Sequence, residues 1–172
     1  MLAESANRTK KGGQELIGGL DVRVNRNHFG RQTESFQAQL DLPFLGDTPF
    51  PVVFIRAPIV ECILPHQEGV QAGEEDRDDT VVAPSRQAKD AAAKAATAEH
   101  VEVLATLSKT AAQIATQGRD VNPDEEKGDV VAVRQGNVFA TSFHPELTGD
   151  SRIHAWWLRQ VQAAAKQRTQ LG

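Results

Sequence analysis

The sequence predicts an α/β fold in which a final helix packs on a sheet. Residues Val52–Ile55 form a continuously apolar run, which is typical of a strand buried on both faces. Asp150 or Ser151 is a typical helix cap, and apolar residues recur after it at three- and four-residue spacing, so a final helix is expected to pack on the sheet. The apolar positions of this helix are Ile153, Trp156, Trp157 and Val161. Strands that need a covered face and a helix with an apolar stripe together favour a layered α/β domain.

Further strands are indicated by the alternation of apolar and polar residues. Leu20–Val24 and Ser35–Leu40 both alternate, and we expect them to form a β-ladder around the polar loop 25–32, which carries two arginines. Val101–Leu107 is predicted to be a core strand. Residues 1–13 begin with helix-forming residues and end in a pair of glycines, which is typical of the tail of a helix followed by a loop.

The composition fits one domain in a reducing compartment. A chain of 172 residues with 40% hydrophobic residues is long enough to bury one sizeable core. Its net charge of −4 comes without a basic stripe, so neither nucleic acid nor an anionic membrane surface is an expected partner. The single cysteine excludes an internal disulfide, and no segment has the pattern of a signal peptide or a membrane span. A cytoplasmic protein is therefore expected.

Residues 66–129 differ in character from the rest of the chain. Residues 68–79 contain six acidic residues and one arginine, residues 88–98 are almost entirely alanine and lysine, and residues 122–129 are acidic again. Such segments offer too little apolar surface to offset the entropy lost on ordering. We therefore expect a single domain over residues 1–172 that carries a partly mobile insertion at 66–129.

The main functional signal lies in residues 130–147. Two β-branched runs are joined at Gln135-Gly136-Asn137, which predicts a hairpin. His144 and Glu146 follow the second run, and a spacing of two places both on one side of an extended chain. Pro145 fixes its own φ and keeps His144 out of the helical region. The pair suits a general base and the acid that orients it, and a structural histidine bonded to its neighbour is the open alternative.

Other side chains also have two interpretations. Arg26 and Arg56 suit a clamp for a carboxylate or phosphate, and a structural ion pair is the alternative. Arg56 follows the apolar run 52–55, and open α/β sheets bind ligands at the carboxyl ends of such strands. Cys62 has neither a glycine-flanked turn nor a neighbouring cation, so we expect a buried structural thiol. The five histidines lack metal-ligand spacing, so no metal site is predicted.

Four separate blocks of the sequence resemble one family. The blocks are residues 24–32 with 34–36 (Val-Asn-Arg-Asn-His-Phe-Gly-Arg-Gln, then Glu-Ser-Phe), 54–58 (Phe-Ile-Arg-Ala-Pro), 133–137 (Val-Arg-Gln-Gly-Asn) and 141–147 (Thr-Ser-Phe-His-Pro-Glu-Leu). In this order they resemble the glutaminase subunits of pyridoxal 5'-phosphate synthase, which are class I glutamine amidotransferases. The resemblance covers most of the chain outside residues 66–129.

The resemblance implies the C-terminal part of a flavodoxin-like class I glutamine amidotransferase domain, an α/β fold in which a mixed sheet is flanked by helices, with a Cys-His-Glu triad and no cofactor. By this resemblance His144 is the triad base, Glu146 is its orienting acid, and Arg26, Ile55 and Arg56 hold the glutamine substrate. The implied reaction is hydrolysis of glutamine to glutamate and ammonia. The implied partner is the synthase subunit, which combines the ammonia with a pentose phosphate and a triose phosphate to make the coenzyme.

The nucleophile is the main departure from the family pattern, and the family's earlier glycine-rich segment and the first strands and helices of its sheet are also expected to be missing. The family's cysteine lies in a Gly-Thr-Cys-Ala-Gly turn before a helix, and Leu2–Ala6 resembles the inside of that helix, so the sequence is expected to start after the cysteine. The chain as given is then expected to lack glutaminase activity, because no nucleophile is left to activate. The run 52–55 is also expected to lose neighbours and expose a sheet edge. A partner-binding or regulatory module without activity is the alternative, and a hydrolase that uses Cys62 is a weaker one.

Overall fold

The computed structural model describes residues 1–8, 15–26, 35–84, 100–108 and 128–170. Within these ranges the strands are β1 (Ala3–Asn7), β2 (Leu20–Asn25), β3 (Ser35–Leu40), β4 (Phe50–Ile55), β5 (Ile59–Ile63), β6 (Thr80–Val82), β7 (Glu102–Leu107), β8 (Asp129–Gln135) and β9 (Val138–Thr141). The α-helices are α1 (Ala72–Glu75) and α2 (Arg152–Gln170), and short 3₁₀ helices span Pro43–Leu45 and Pro145–Leu147. No helix in the described ranges has the length and apolar character needed to cross a membrane.

Seven of these strands form one mixed sheet, which confirms the predicted fold class. The strand order is β6-β1-β2-β5-β8-β7, and β9 also pairs with β8. β1 and β2 run parallel, whereas the other neighbouring strands run antiparallel. The strands β3 and β4 form a separate antiparallel pair that is in register from Ser35 opposite Ile55 to Leu40 opposite Phe50.

The amino-terminal segment differs from the predicted helical tail. Residues Ala3–Asn7 form strand β1, which pairs with β2 on one side and with β6 on the other. Ladder pairing on both sides outweighs the intrinsic helix propensity of these residues, so the helix prediction is wrong. The loop predicted to follow it falls largely on residues 9–14, which lie outside the described ranges.

The predicted ladder between Leu20–Val24 and Ser35–Leu40 is also wrong, although both segments are strands. β2 pairs with β1 and β5, and β3 pairs with β4. Phe36 of β3 lies opposite Phe54 of β4, and their rings stack with centroids 4.7 Å apart. Aromatic cross-strand pairs of this kind stabilise one register, so β3 joins the strand that follows it in the chain.

The apolar run Val52–Ile55 belongs to a strand, as predicted, but this strand is not buried on both faces. Burial alternates along β4: Phe50, Val52 and Phe54 are buried, whereas Ile55 is 39% exposed. The reason is that β4 belongs to a two-stranded pair, which packs only one face on the core. That core also contains Leu107, Val131, Phe143 and Ile153.

Helix α2 starts where the sequence predicts. A carboxylate oxygen of Asp150 accepts a hydrogen bond from the backbone N–H of Arg152 at 3.0 Å, which caps the first turn. Ile153 and Trp156 are buried, and the ring of Trp156 lies 4.6 Å from that of Phe44. The expected packing of Val161 is wrong, because the helix extends beyond the packed elements there and this side chain is 48% exposed.

The predicted insertion is structured where it is described. Residues 72–82 contain α1 and β6, and Glu102–Leu107 is strand β7, which confirms the predicted core strand. β6 pairs with β1, and β7 pairs with β8. The predicted mobility of the Ala-rich and second acidic parts concerns residues 85–99 and 109–127, outside the described ranges.

The two faces of β2 differ in chemistry. Leu20, Val22 and Val24 are buried in an apolar cluster. Asp21 and Arg23 alternate with them and so point to the other face, where they are also buried. This face of the strand therefore needs polar partners.

Arg23 lies at the centre of a polar network on that face. Its guanidinium donates to Glu61 at 2.7 Å, to Glu74 at 2.6 Å and to the hydroxyl of Thr80 at 2.7 Å. The hydroxyl of Ser5 donates to the same oxygen of Glu74 at 2.8 Å. These bonds tie β1, β2, β5, α1 and β6 together.

The charge state of Glu74 follows from the same contacts. Burial raises the pKa of its carboxyl, but the hydrogen bonds from Arg23 and Ser5 outweigh burial, so the pKa lies below the ordinary value of 4.5. Glu74 is therefore ionised at neutral pH, and its contact with Arg23 is a buried ion pair.

Replacement of Arg23 by Leu is expected to lower the free energy of unfolding by about 3 kcal/mol, because the buried carboxylate of Glu74 loses its charged partner. The double variant Arg23→Leu/Glu74→Leu should recover most of this loss, since no buried charge is then left unpaired. Urea denaturation followed by circular dichroism measures both values. Arg77→Leu is the matched control, because its contact with Asp79 is exposed and 3.9 Å long, and a change of under about 0.5 kcal/mol is expected. Equal losses in the single and double Arg23 variants would contradict the buried ion pair as the cause.

Candidate functional site

The hairpin predicted at residues 130–147 is formed by β8 and β9. Ala132 pairs with Thr141 and Gln135 pairs with Val138, with the turn at Gly136-Asn137 between them. Gly136 has a φ of 57°, which is the left-handed region that a residue without Cβ adopts at little cost. The Gln-Gly-Asn signal therefore predicted the turn correctly.

Phe143 anchors the chain where it leaves this hairpin. Its side chain is buried, 5.9 Å from the ring of Phe54 in an edge-to-face contact and 6.4 Å from the ring of Phe50. The hydroxyl of Thr141 donates to the carbonyl of Phe143 at 2.9 Å. The residue that follows, His144, is thus fixed at its amino side by core packing.

The backbone of His144 is held by β4. Its N–H donates to the carbonyl of Val53 at 2.8 Å, so the free edge of β4 expected from the sequence receives this bond. His144 has φ −103° and ψ 90°, an extended conformation of the kind predicted for a residue before proline. Pro145 then begins the 3₁₀ helix Pro145–Leu147, whose tight turn brings Glu146 back beside the imidazole.

His144 and Glu146 form a hydrogen-bonded pair. Nδ1 of the imidazole lies 2.8 Å from Oε1 of the carboxylate, and both side chains are partly open to solvent, with 40% and 59% exposed. The hydrogen bond with His144 is the largest cause of a Glu146 pKa below its ordinary value of 4.5. The carboxylate therefore stays charged near neutral pH, and an acceptor at Nδ1 leaves Nε2 as the basic nitrogen of a neutral imidazole.

Arg56 lies directly after β4 in a strained conformation. Its φ of 47° is the only positive φ of a non-glycine residue in the described ranges. Among the described residues its guanidinium has no hydrogen-bond or ion-pair partner, so the alternative of a structural ion pair is not observed there. Ile55, just before it, has the exposed side chain noted above.

Arg26 follows the last residue of β2. Its backbone N–H donates to Oδ1 of Asn7 at 2.8 Å, and Nδ2 of Asn7 donates to Oδ1 of Asn25 at 3.3 Å. The guanidinium of Arg26, like that of Arg56, makes no ion pair or hydrogen bond within the described part of the chain. Two cations near strand ends that no described residue pairs with suit recognition of an anionic group.

The strand ends that carry these residues meet at one end of the sheets. Asn25 pairs with Ile59, so Arg26 follows a strand end beside the start of β5, which the turn 56–58 leads into. Pro58 from that turn and Ser142, two residues before His144, line one cavity of about 310 Å³. The rest of its lining is mostly apolar and comes from residues 1–3 at the start of the chain and from β2, β5, β8 and β9.

Cys62 is exposed on β5, so the prediction of a buried thiol is wrong. The reason is that β5 is buried only at its first residue, and the side chains from Glu61 to Ile63 are open to solvent. Partial burial, followed by the negative charges of Glu74 and Glu61, raises the pKa of this thiol above its ordinary value. Little thiolate is present at neutral pH, which agrees with the expectation that Cys62 is not an activated nucleophile.

A second imidazole–carboxylate pair was missed by sequence reasoning. Nδ1 of His66 lies 2.6 Å from the buried carboxylate of Asp21, and Nε2 of Gln135 donates to the same oxygen at 2.5 Å. The backbone N–H of Asp21 donates back to Oε1 of Gln135 at 2.8 Å. These residues are too far apart in the sequence for any spacing rule to connect them, and their bonds fix the turn end of the hairpin that leads to His144.

Comparison with known proteins gives one consistent family. The sequence profile of the SNO glutamine amidotransferase family matches residues 2–104 and 86–163. The "Pyridoxal 5'-phosphate synthase subunit PdxT" of Streptomyces avermitilis is 39% identical over 153 residues, which are 89% of this chain and 50% of the relative. The proteins of the same name from Nocardia farcinica and Methanosarcina mazei are 38% and 36% identical and cover 95% and 92% of this chain, with 51% and 52% of their own lengths matched.

A solved structure, titled "Crystal structure of glutamine amidotransferase", gives a TM-score of 0.50 at 32% identity. The match covers 92% of this chain and 53% of the solved chain. The chain thus spans about half the length of the curated relatives and of the solved structure that it matches.

Replacement of His144 by Ala is expected to raise the pKa of the Glu146 carboxyl towards 4.5, because the hydrogen bond that lowers it is lost. A pH titration of the side-chain carboxyl carbon by NMR measures the shift. His154→Ala is the matched control, since His154 is the smallest of the causes that act on Glu146 and its loss should leave the pKa nearly unchanged. An equal rise in both variants would mean that nearby positive charge of any kind, rather than the hydrogen bond with His144, lowers the pKa of Glu146.

Proposed function

Because the chain belongs to the SNO glutamine amidotransferase family, we propose that it supplies the base, the orienting acid and part of the substrate site of a glutaminase. The substrate is glutamine, and the products are glutamate and ammonia. His144 is the base, Glu146 is the acid that orients it, and Arg26, Ile55 and Arg56 contact the substrate.

The observation that carries this proposal is the contact between His144 and Glu146. An imidazole bonded through Nδ1 to a carboxylate is held in one tautomer and orientation, and its conjugate acid is stabilised. Phe143 in the core and the bond to Val53 fix the same residue from its backbone. A base with this support is preorganised for proton transfer.

The proposed chemistry is acyl transfer through a thiol. A cysteine sulfur attacks the side-chain amide carbon of glutamine, while His144 takes the thiol proton and then passes it to the departing nitrogen, which leaves as ammonia. Water next attacks the thioester with His144 as base, which releases glutamate and restores the thiol. In both steps Glu146 stabilises the imidazolium.

Cys62 is not that cysteine. Its pKa is raised, and no glycine-flanked turn presents it beside a helix. We therefore propose that the 172-residue chain by itself binds glutamine and does not hydrolyse it. The charged end of glutamine carries a carboxylate, which suits the guanidinium groups of Arg26 and Arg56, since neither is paired with a residue that the structure describes.

We also propose that the chain acts with a synthase subunit in the cytoplasm. The relatives named above are themselves called subunits of pyridoxal 5'-phosphate synthase. Ammonia must leave the His144 site for its acceptor without loss to solvent, so the partner is expected to cover this site. The single cysteine of the chain fits a reducing compartment.

The purified chain is expected to bind L-glutamine, and Arg56→Ala should weaken binding by about tenfold or more, because a charge-assisted hydrogen bond to the substrate carboxylate is lost. Isothermal titration calorimetry measures the affinity, and a coupled assay measures released ammonia. Arg159→Ala, which removes an exposed arginine of α2, is the control and should leave the affinity unchanged. Ammonia release by the unaltered chain that disappears in His144→Ala would contradict the predicted lack of hydrolysis.

A partner that covers the site is expected to contact Leu147, which follows Glu146 and is 55% exposed. The tagged chain should co-purify stoichiometrically with a co-expressed synthase subunit, and Leu147→Asp should abolish this by placing a charge in an apolar contact. Leu158→Asp, at an equally exposed leucine on α2, is the control and should co-purify as before. The loss of co-purification in both variants or in neither would argue against a partner at the His144 site.

A further inference from the structure

Asn7 makes the contact that fixes the backbone of Arg26. It is the last residue of β1, and its Oδ1 accepts the backbone N–H of Arg26 at 2.8 Å. Its Nδ2 donates to Oδ1 of Asn25 at 3.3 Å. One side-chain amide thus binds two consecutive residues at the point where β2 ends.

This contact lies just beyond the backbone ladders of β2. The last pair between β1 and β2 is Ala6 with Val24, and the last pair between β2 and β5 is Asn25 with Ile59. Arg26 follows both ladders, so neither strand holds its N–H. The side-chain amide of Asn7 therefore holds the backbone of Arg26, one residue beyond the ladders. This contact fixes the position of the Arg26 Cα, from which its side chain extends.

Asn7 is itself held in place from the side of β6. It pairs with Thr80, whose hydroxyl accepts a hydrogen bond from the buried guanidinium of Arg23 at 2.7 Å. Arg8, the next residue, donates from its backbone to Asp79 at 2.6 Å and from Nε to the carbonyl of Thr80 at 2.8 Å. The acceptor therefore has a fixed position, which a positioning role requires.

We propose that Asn7 is a positioning residue that aims the guanidinium of Arg26 at the carboxylate of the substrate. This inference rests on the proposed function, in which Arg26 binds glutamine. Asn7 does not contact the substrate in this scheme and acts only through Arg26. Its effect on binding must then disappear when the Arg26 side chain is removed.

A double-mutant cycle of glutamine affinity tests this dependence. Asn7→Ala should weaken glutamine binding by about fivefold, which corresponds to the loss of one ordinary hydrogen bond. In an Arg26→Ala background the same substitution should have no further effect. Asn7→Asp keeps an oxygen acceptor at the same place and should restore most of the affinity, whereas Gln162→Ala, at an exposed amide on α2, should change nothing. An equal effect of Asn7→Ala in both backgrounds would overturn the proposal.

Hydrogen exchange of the Arg26 amide separates this inference from the proposed function. Exchange should become about five- to tenfold faster in Asn7→Ala and stay near the parent rate in Asn7→Asp, because only the former removes the acceptor. If the parent chain binds no glutamine, the proposed function fails, and the exchange rate still decides whether Asn7 holds Arg26. An unchanged exchange rate in Asn7→Ala would overturn the proposal whatever the binding result.

Discussion

One backbone hydrogen bond, from the N–H of His144 to the carbonyl of Val53, joins the two sheets at the candidate site. The strand pair β3–β4 packs on the main sheet through aromatic rings, and Phe143 from the main-sheet hairpin lies against Phe54 of that pair. The packing brings the two backbones together, and the hydrogen bond sets their relative position. Because His144 makes this bond itself, the orientation of its imidazole depends directly on how the two sheets dock. The packing that holds the two sheets together therefore also sets the geometry of the base.

The polar face of β2 shows a different way of fixing structure. Arg23 is only 2% exposed and binds three acceptors from three other elements. A buried ion pair of this kind adds little net stability, because the desolvation of both charges offsets their attraction. Loss of one partner is costly, however, because a buried charge is then left without its counterion. The same network includes Thr80, which pairs with Asn7. Since Asn7 accepts the backbone N–H of Arg26, the network also helps to hold Arg26 in place.

Local signals predicted the parts of the fold that depend on local contacts. The turn at Gly136, the start of α2 at Asp150 and the pairing of His144 with Glu146 all involve residues a few positions apart, and all three were found. The failures involve distant partners. β1 is a strand only because β2 and β6 flank it. The apolar run in β4 is exposed on one face only because β4 pairs with β3 outside the main sheet. No periodicity within a segment carries that information, and the same is true of the contacts of Asn7 and Asp21.

The strain at Arg56 is explained by its neighbours and points to a role for its side chain. Six residue pairs fix β4 against β3 up to Ile55, and Ile59 is already paired with Asn25, so the chain must turn within three residues. Pro58 disfavours the helical region for Ala57, so the change in chain direction occurs at Arg56. A φ of 47° costs a non-glycine residue about 1 kcal/mol or more, and glycine would remove that cost. Glycine would also remove a guanidinium that no described residue uses. An arginine at a position where the backbone favours glycine is accounted for by a ligand that binds its side chain, which is the role proposed for it.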